Sequence, residues 1–423
     1  MVLKREIGLW ELTLSGIGVI LGAGIYALVG KAAGIAGANI WVSFAVGGVI
    51  AILTGLSYAE LSNRYPKAGA EYVYAENAFG KRIAFAIGLA LVLVGFSSAA
   101  TVALGFSGYL AALTGLPAWA GIAFILSLSA IIIAQGAKIS TRVAALISVI
   151  EVMGLLAIIA LGAPFLLKGF SIPSVSEIPL VLNAAALVFF AYIGFEELVR
   201  LSEETKNAKF AMPKALLLAI LLSTLLYVLV SASAIGTLGA ESLAESKAPL
   251  ADVAKQSMGL NAFLLLAIIA LFSTGNTVLM MVLANSRLLY GMAEEKGIPA
   301  WFSRTRNHQP INALVVCILF SAILALSTDI AFVAHVTDGL LFLVFGAINA
   351  SLVRIRWKEK NAFNGFRVPF NWKNVPIPSV LGALSSLAML AFVETSALLL
   401  GIGLLAAGWM LFQHYARRKN GWN

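Results

Sequence analysis

Long apolar stretches alternate with short polar ones along almost the whole chain. An apolar run of about 20 residues is long enough to cross a bilayer as a helix. The third and eighth runs are longer than that, so we expect them to tilt or to project from the membrane. The pattern therefore predicts an all-α polytopic membrane protein with twelve spans, at residues 10–33, 40–62, 83–113, 117–136, 141–167, 180–202, 211–237, 258–292, 312–328, 331–353, 376–394 and 396–416.

Composition supports the same class. The chain is 60% hydrophobic and 12% charged, with a mean hydropathy of +0.94, whereas soluble domains carry about 25% charged residues. The one cysteine, Cys317, excludes an internal disulfide framework, and the three histidines have no metal-ligand spacing. We therefore expect neither a metal site nor a cofactor.

The basic residues that give the net charge of +9 lie mainly on one side of the predicted membrane. With the N-terminus in the cytoplasm, four of the 29 basic residues lie outside and the other 25 lie inside, as the positive-inside rule requires. This predicts a cell-membrane protein with both termini cytoplasmic and no nucleic-acid partner. The tail "HYARRKN" and the segment 354–360 are then inside anchors, with anionic-lipid binding as an additional role. The four outer residues are Lys31, Lys168, Lys247 and Lys255.

The first span contains "GVILGAGIYALVG", residues 18–30, with three glycines near its middle. Glycine is a poor helix former, and an unwound helix in lipid leaves backbone groups without partners. One explanation is close helix packing, because Gly18 and Gly22 form a GxxxG motif. The other is a deliberate interruption of the span.

The sixth span shows a second candidate interruption, in "LVFFAYIGFEELVRLSEE", residues 187–204. Gly194 lies in mid-span and is followed by Glu196 and Glu197. Matching interruptions in two halves of a chain are typical of transporters built from inverted repeats. The pair of interruptions favours this interpretation over helix packing alone.

An unwound stretch exposes amide N–H groups at the start of one half-helix and carbonyls at the end of the other. The N–H groups and the helix dipole suit a carboxylate, and the carbonyls suit an ammonium group. A zwitterionic amino acid requires both.

Several segments resemble the amino acid–polyamine–organocation transporters, which have the LeuT-type fold. They are "GVILGAGIYALVG", "YAELSNRYPKAGAEYVYAENAFG" (58–80), "FFAYIGFEELVRLSEETKNAKFAMPKAL" (189–216) and "SRLLYGMAEEKGIPAWF" (286–302). The resemblance implies a five-plus-five inverted repeat with spans one and six interrupted. Its parts would be residues 1–170 (spans one to five), 171–356 (spans six to ten) and 357–423 (two C-terminal spans and the basic tail).

The resemblance also implies how a substrate binds. Its α-carboxylate would meet amides of span one, its α-amino group would meet carbonyls of both broken spans, and its side chain would lie beside the second break. The amides are those of Gly22, Ala23 and Gly24; the carbonyls are near Val19, Ile20, Phe189 and Ala191; the pocket residues are Tyr192, Ile193 and Phe195. For the three aromatic residues among these, ordinary helix packing is the alternative.

Glu151 is the strongest functional candidate among the charged residues inside the predicted spans. Charged residues within a span are functional by default. Glu151 follows Arg142 by nine residues, or roughly 13–14 Å of helix, which places it near the middle of a ~30 Å hydrocarbon core. In some bacterial relatives of the resembled family a lysine holds the matching position and replaces a sodium ion. The sign is reversed here, so that mechanism cannot be transferred.

Three roles for Glu151 stay open. Burial favours the neutral form of a carboxyl, so Glu151 could carry a proton across the membrane. It could instead bind Na⁺ together with span-one carbonyls and the hydroxyls of Ser273, Thr274 or Thr277, because oxygen ligands suit hard cations. A structural, hydrogen-bonded glutamate is the third option.

Three other carboxyls are weaker candidates. Glu196 begins the second half of span six, where the helix dipole favours a negative charge, and capping of that half-helix is its alternative role. Asp338 and Glu60 are expected to be gate or packing groups.

These observations predict a secondary transporter of amino acids, and not an enzyme. We expect neutral substrates, because no Arg or Lys is placed in the presumed pocket between spans one, three, six and eight, and we expect proton coupling. The alternatives are a polyamine or organic-cation carrier, or an exchanger, with sodium as the other coupling ion. A channel would need a filter pattern, and an enzyme or pump would need a nucleophile, metal or Walker motif. The sequence leaves open which amino acid is carried and whether the chain forms oligomers.

Overall fold

A computed structural model describes residues 8–66, 70–135, 137–199, 205–294, 298–306, 309–359 and 363–419. Side chains are described outside 137–146 and 412–419, so those of Arg142 and of the basic tail lie outside the described residues. Within these ranges the regular secondary structure is helical, apart from one small hairpin and an isolated bridge between Arg306 and Gln309, and loops connect the helices. The α-helices are α1 (Leu9–Leu21), α2 (Ala23–Ala36), α3 (Ile40–Arg64), α4 (Ala70–Phe79), α5 (Lys81–Thr114), α6 (Ala118–Gln135), α7 (Ala137–Gly162), α8 (Ile178–Val188), α9 (Phe195–Leu198), α10 (Ala208–Leu238), α11 (Ala240–Glu245), α12 (Pro249–Met258), α13 (Leu260–Glu294), α14 (Ile311–Ser327), α15 (Ile330–Lys358), α16 (Ile377–Met389) and α17 (Thr395–Lys419).

The helices confirm a polytopic membrane protein. Among the described residues, eight helical segments are long and apolar enough to cross a membrane, or nine if the bent pair α16 and α17 is counted as one span. The helices α2 and α3 form one 42-residue segment in this count, while α1 and α14 are shorter apolar helices. For that reason length and composition do not by themselves yield twelve spans, and that number stays a prediction.

The first span is interrupted where its glycines predict. The helix α1 ends at Leu21 and α2 begins at Ala23, with Gly22 between them at φ −21° and ψ −165°, outside the helical region. The span continues after the break for 14 residues.

The sixth span is interrupted as well. The helix α8 ends at Val188 and is followed by a 3₁₀ turn, Phe189–Tyr192, and an extended Ile193. Gly194 then has φ +119°, a conformation that side chains with a Cβ rarely adopt. The short helix α9 begins directly after it.

Polar side chains connect the long helices inside the bundle. Asn285 of α13 donates to the Val92 carbonyl of α5 at 3.0 Å, and Ser321 of α14 donates to the Phe96 carbonyl at 3.0 Å. The Tyr109 hydroxyl of α5 donates to a carbonyl of α2. Hydrogen bonds of this kind hold helices together where apolar burial supplies no driving force, and these three connect α5 to α13, α14 and α2.

A short segment with an amphipathic second half connects α10 and α13. It forms the two short helices α11 and α12. The helix α12 buries Leu250, Val253 and Ala254 and leaves Lys255 and Gln256 exposed. This segment therefore lies against the bundle with its apolar face.

Candidate functional site

The two interruptions lie directly against each other. A Cβ on Gly24 would lie 2.5 Å from the Ala191 Cα, and a Cβ on Gly194 would lie 2.6 Å from the Val19 Cγ1 and 3.0 Å from the Val19 carbonyl oxygen. Backbones approach this closely only where a glycine removes the side chain. Each broken span thus contributes one glycine at a close contact with the backbone or side chain of the other broken span.

Two of the predicted carbonyls converge on one point. The hydroxyl of Tyr227, in α10, lies 2.5 Å from the Ile20 oxygen and 2.7 Å from the Ala191 oxygen. A hydroxyl has one proton, so it donates to one of these carbonyls at a time. The structure therefore brings a carbonyl of span one and a carbonyl of span six within reach of a single donor.

Sequence reasoning missed Tyr227. A tyrosine in the middle of an apolar run indicates a buried hydroxyl, and such a hydroxyl normally has a hydrogen-bond partner. The sequence does not show which residue that partner is. The chain separates Tyr227 from Ile20 by 207 residues.

The start of α2 carries the predicted amides. The Ala23 N–H donates to the Thr277 Oγ1 of α13 at 3.1 Å, and a Cβ on Gly22 would meet the same oxygen at 2.9 Å. Thr277 in turn donates to the Ser273 carbonyl one turn earlier. The first amides of a helix have no partner within that helix, and here a hydroxyl of another span supplies one of the partners.

The aromatic residues of the second break are all buried. Tyr192 donates to the Phe44 carbonyl at 2.6 Å and packs edge-on against Tyr227, with ring centroids 5.3 Å apart. The Phe189 ring lies 4.6 Å from the Phe342 ring of α15. Phe195 likewise packs against a ring of α15, so both substrate contact and helix packing stay open for these side chains.

Glu151 is buried beside the first break. The Ser273 hydroxyl donates to its Oε1, and the Tyr26 hydroxyl of α2 donates to its backbone carbonyl at 3.1 Å. Its Oε2 has no hydrogen-bond partner within the part of the chain that the structure describes. One carboxyl oxygen is therefore free to hold a proton or to bind a cation.

The three predicted hydroxyls of α13 have different hydrogen-bond partners. Ser273 reaches Glu151 and Thr277 reaches Ala23, as their spacing of four residues allows. Thr274 instead donates to the Ala270 carbonyl of its own helix at 2.7 Å. Ser273 and Thr277 are thus the hydroxyls that face the first break.

The other intramembrane carboxyls have different surroundings. Glu196 accepts the Gly194 N–H at 2.9 Å and so caps the half-helix that follows, as its alternative role predicts. Asp338 is fully buried, and its carboxyl has no charged partner among the described residues. Glu60 pairs with Arg64 and Arg356, which makes it a packing group in this structure.

Comparison with known proteins decides the family. The sequence profile of a family described as amino acid permease matches residues 7–400. The chain belongs to the amino acid permease family. This family is part of the amino acid–polyamine–organocation superfamily, in agreement with the resemblance of the first-helix and sixth-helix segments.

Three relatives show how broad the permease family is. The chain is 29% identical to the branched-chain amino acid permease BcaP of Bacillus subtilis, over 99% of this chain and 94% of the relative. It is 27% identical to the methylthioribose transporter of the same organism, over 99% and 95%. It is 30% identical to the vacuolar cationic amino acid transporter 4 of Arabidopsis thaliana, over 84% of this chain and 64% of that relative. All three are named as permeases or transporters, so this permease is a transporter and not an enzyme.

Tyr227→Phe should lower the unfolding temperature of the substrate-free permease. Two buried carbonyls lose their donor, and an unsatisfied buried group costs about 1–3 kcal/mol. If the ammonium of a substrate donates to the same two carbonyls, a saturating substrate should narrow the difference between variant and parent. Thermal unfolding of the purified proteins, with and without substrate, measures both effects.

Tyr290→Phe supplies a matched control, because Tyr290 is a half-buried tyrosine of the permease's α13. It should unfold close to the parent temperature. An unfolding temperature of Tyr227→Phe equal to that of this control would show that the bridging hydroxyl contributes nothing to stability.

Proposed function

We propose that the chain is a secondary transporter that moves neutral amino acids across the cell membrane by alternating access, coupled to protons. It has twelve spans in a five-plus-five inverted repeat with two further C-terminal spans, and both termini are cytoplasmic. The convergence of the Ile20 and Ala191 carbonyls on one hydroxyl is the observation that carries this proposal. Two carbonyls from two broken spans are suited to receive the α-ammonium of an amino acid.

The α-carboxylate binds at the other side of the same break. The amides that begin α2 and the positive end of its dipole favour an anion, and Gly24 leaves that backbone without a side chain. The Thr277 hydroxyl, which accepts the Ala23 N–H in this structure, is released when a carboxylate takes its place.

The charges near the breaks support a neutral substrate. Arg356 is the one fully buried Lys or Arg side chain among the described residues, and it pairs with Glu60. It lies 14 residues after Phe342, whose ring packs on Phe189 of the second break, and 14 residues are roughly 21 Å along a helix. A second carboxylate on the substrate would therefore meet no cation at the breaks.

Competition for a bound amino acid tests the substrate class. Alanine, leucine or phenylalanine should displace the bound ligand of the purified protein, and glutamate and aspartate should not. Counterflow in proteoliposomes should follow the same order, because a carrier exchanges bound substrate. Preference for glutamate would contradict the proposal.

Two observations support the alternative of an organic-cation or polyamine carrier, which the same competition experiment tests. The carboxyl of Asp338 is buried without a charged partner among the described residues, and one relative is named as a cationic amino acid transporter. Preference for putrescine or lysine over leucine would favour that alternative. Uptake without net accumulation would favour an exchanger.

A further inference from the structure

The connection between α15 and α16 contains a small, well-defined hairpin. Its strands β1 (Asn371–Trp372) and β2 (Val375–Pro376) pair antiparallel. The two turn residues, Lys373 and Asn374, have φ of +45° and +70°, the left-handed conformation that two-residue type I′ turns require. The hairpin thus has a fixed shape with Lys373 at its tip.

A buried ion pair fixes this hairpin to two spans. Arg356 of α15 donates to both carboxyl oxygens of Glu60 of α3, and the Val368 N–H donates to the same carboxyl at 2.8 Å. Arg356 also donates to the Asn371 side chain, while the Asn374 side chain donates to the Arg356 carbonyl at 2.7 Å. The hairpin therefore cannot swing freely from the ends of α3 and α15.

The outward side of the hairpin is aromatic and basic. Three large aromatic side chains are 84%, 77% and 70% exposed, namely Trp357, Phe370 and Trp372. The Lys373 ammonium lies 5.9 Å from the centre of the Trp372 ring. Trp357 follows the residue whose carbonyl Asn374 binds, so it lies beside the turn. We call these four residues the hairpin rim.

The charge around the hairpin rim has one sign. Residues 361–379 contain no acidic residue. The nearest acid along the chain, Glu359, is paired with Arg64 at 2.5 Å and with Arg367 at 3.3 Å. The Arg64 guanidinium holds the pKa of the Glu359 carboxyl below its usual range. Its negative charge is thus already neutralised, and the ion pairs of the described residues do not include Lys373 at the tip of the hairpin.

We propose that the hairpin rim docks on anionic phospholipid headgroups of the cytoplasmic leaflet, an inference that rests on the proposed orientation of the chain. Tryptophan rings favour the depth of the headgroups, and a lysine can extend its ammonium from the same depth into the charged layer. Anionic leaflets attract such cations. Because the hairpin is fixed by the Glu60–Arg356 pair, its rings and its ammonium are already placed for this contact.

Quenching of Trp372 fluorescence by brominated lipid tests the proposal in the full-length protein. The chain has eight tryptophans, so the Trp372 signal is taken as the difference between the parent and Trp372→Phe. At equal mole fraction, brominated phosphatidylglycerol should quench this signal more than brominated phosphatidylcholine. Lys373→Asn, which suits the left-handed turn conformation, should reduce that preference about fivefold.

Two further variants make the result specific. Lys373→Arg keeps the charge and should keep the preference for phosphatidylglycerol. Lys255→Gln removes a cation that also lies 5.9 Å from an aromatic ring, that of Phe263, but on the predicted outer side, and should leave the Trp372 signal unchanged. Equal quenching by both headgroups, no quenching by either, or an unchanged preference in Lys373→Asn would overturn the proposal. No transport is measured, so the result is independent of the substrate assignment.

Discussion

Gly24→Ala should weaken substrate binding by at least about tenfold, and Gly24→Leu should abolish it. The added Cβ would lie 2.5 Å from the Ala191 Cα and 3.1 Å from the Ala191 nitrogen. Backbone atoms cannot yield as the end of a flexible side chain can. The second break would therefore have to move, and the Ala191 carbonyl would leave its place beside the Ile20 carbonyl. Calorimetric titration with the preferred amino acid measures the loss.

Gly403→Ala is the matched control for this experiment. Gly403 is a helical glycine of α17, and a Cβ there would meet nothing within 4 Å. Alanine is the better helix former at such a site, so this variant should be at least as stable as the parent and should bind normally. Parental affinity in a folded Gly24→Ala protein would contradict the assignment of the site to the two breaks.

Glu151→Gln should abolish uphill accumulation driven by a pH gradient while substrate binding survives. Glutamine resembles a permanently protonated carboxyl, so it can no longer load a proton on one side and release it on the other. The parent protein should transport faster as the external pH falls, should acidify the interior and should need no sodium. Proteoliposome uptake at several external pH values in sodium-free buffer measures the accumulation, its pH dependence and its independence of sodium. A pH-sensitive dye inside the vesicles measures the acidification.

Sodium coupling predicts the opposite dependence. In that case Glu151 would bind Na⁺ through the carboxyl oxygen that Ser273 does not occupy, and Glu151→Gln would lose sodium-stimulated binding. Glu241→Gln, which changes an exposed carboxyl of α11, should leave uptake unchanged. If Glu151→Gln accumulates substrate under a pH gradient as well as the parent does, Glu151 is a structural residue and not the carrier.

The two breaks were predictable because each is accompanied by residues, close together in the sequence, that depart from the apolar pattern of a span. Glycines near the middle of span one, and Gly194 followed by two glutamates in span six, are out of place in a plain lipid-facing helix. The prediction that Glu151 lies near the middle of the hydrocarbon core came from counting residues along one helix. The grouping of Ser273 with Thr277 follows from their spacing of four residues.

Contacts between distant parts of the chain are not accompanied by such residues. Tyr227 reaches both breaks, yet nothing near it in the sequence names Ile20 or Ala191. Ser273, Thr274 and Thr277 were alternatives for a cation site, and nothing in their spacing shows that the Thr274 hydroxyl donates to the Ala270 carbonyl of its own helix. The number of spans was equally hard to count from helix length, because α2 and α3 follow each other through a single turn.

The pairing of Glu60 with Arg356 has a consequence for synthesis in the cell. The two residues are 296 positions apart, and a ribosome adds about 5–20 residues per second. For roughly 15–60 s after Glu60 is made, Arg356 does not yet exist, and Arg64, four residues later, supplies the local ion pair. A nascent chain that stops before α15 can therefore never complete this charge network, and the C-terminal end of its α3 differs chemically from that of the finished protein.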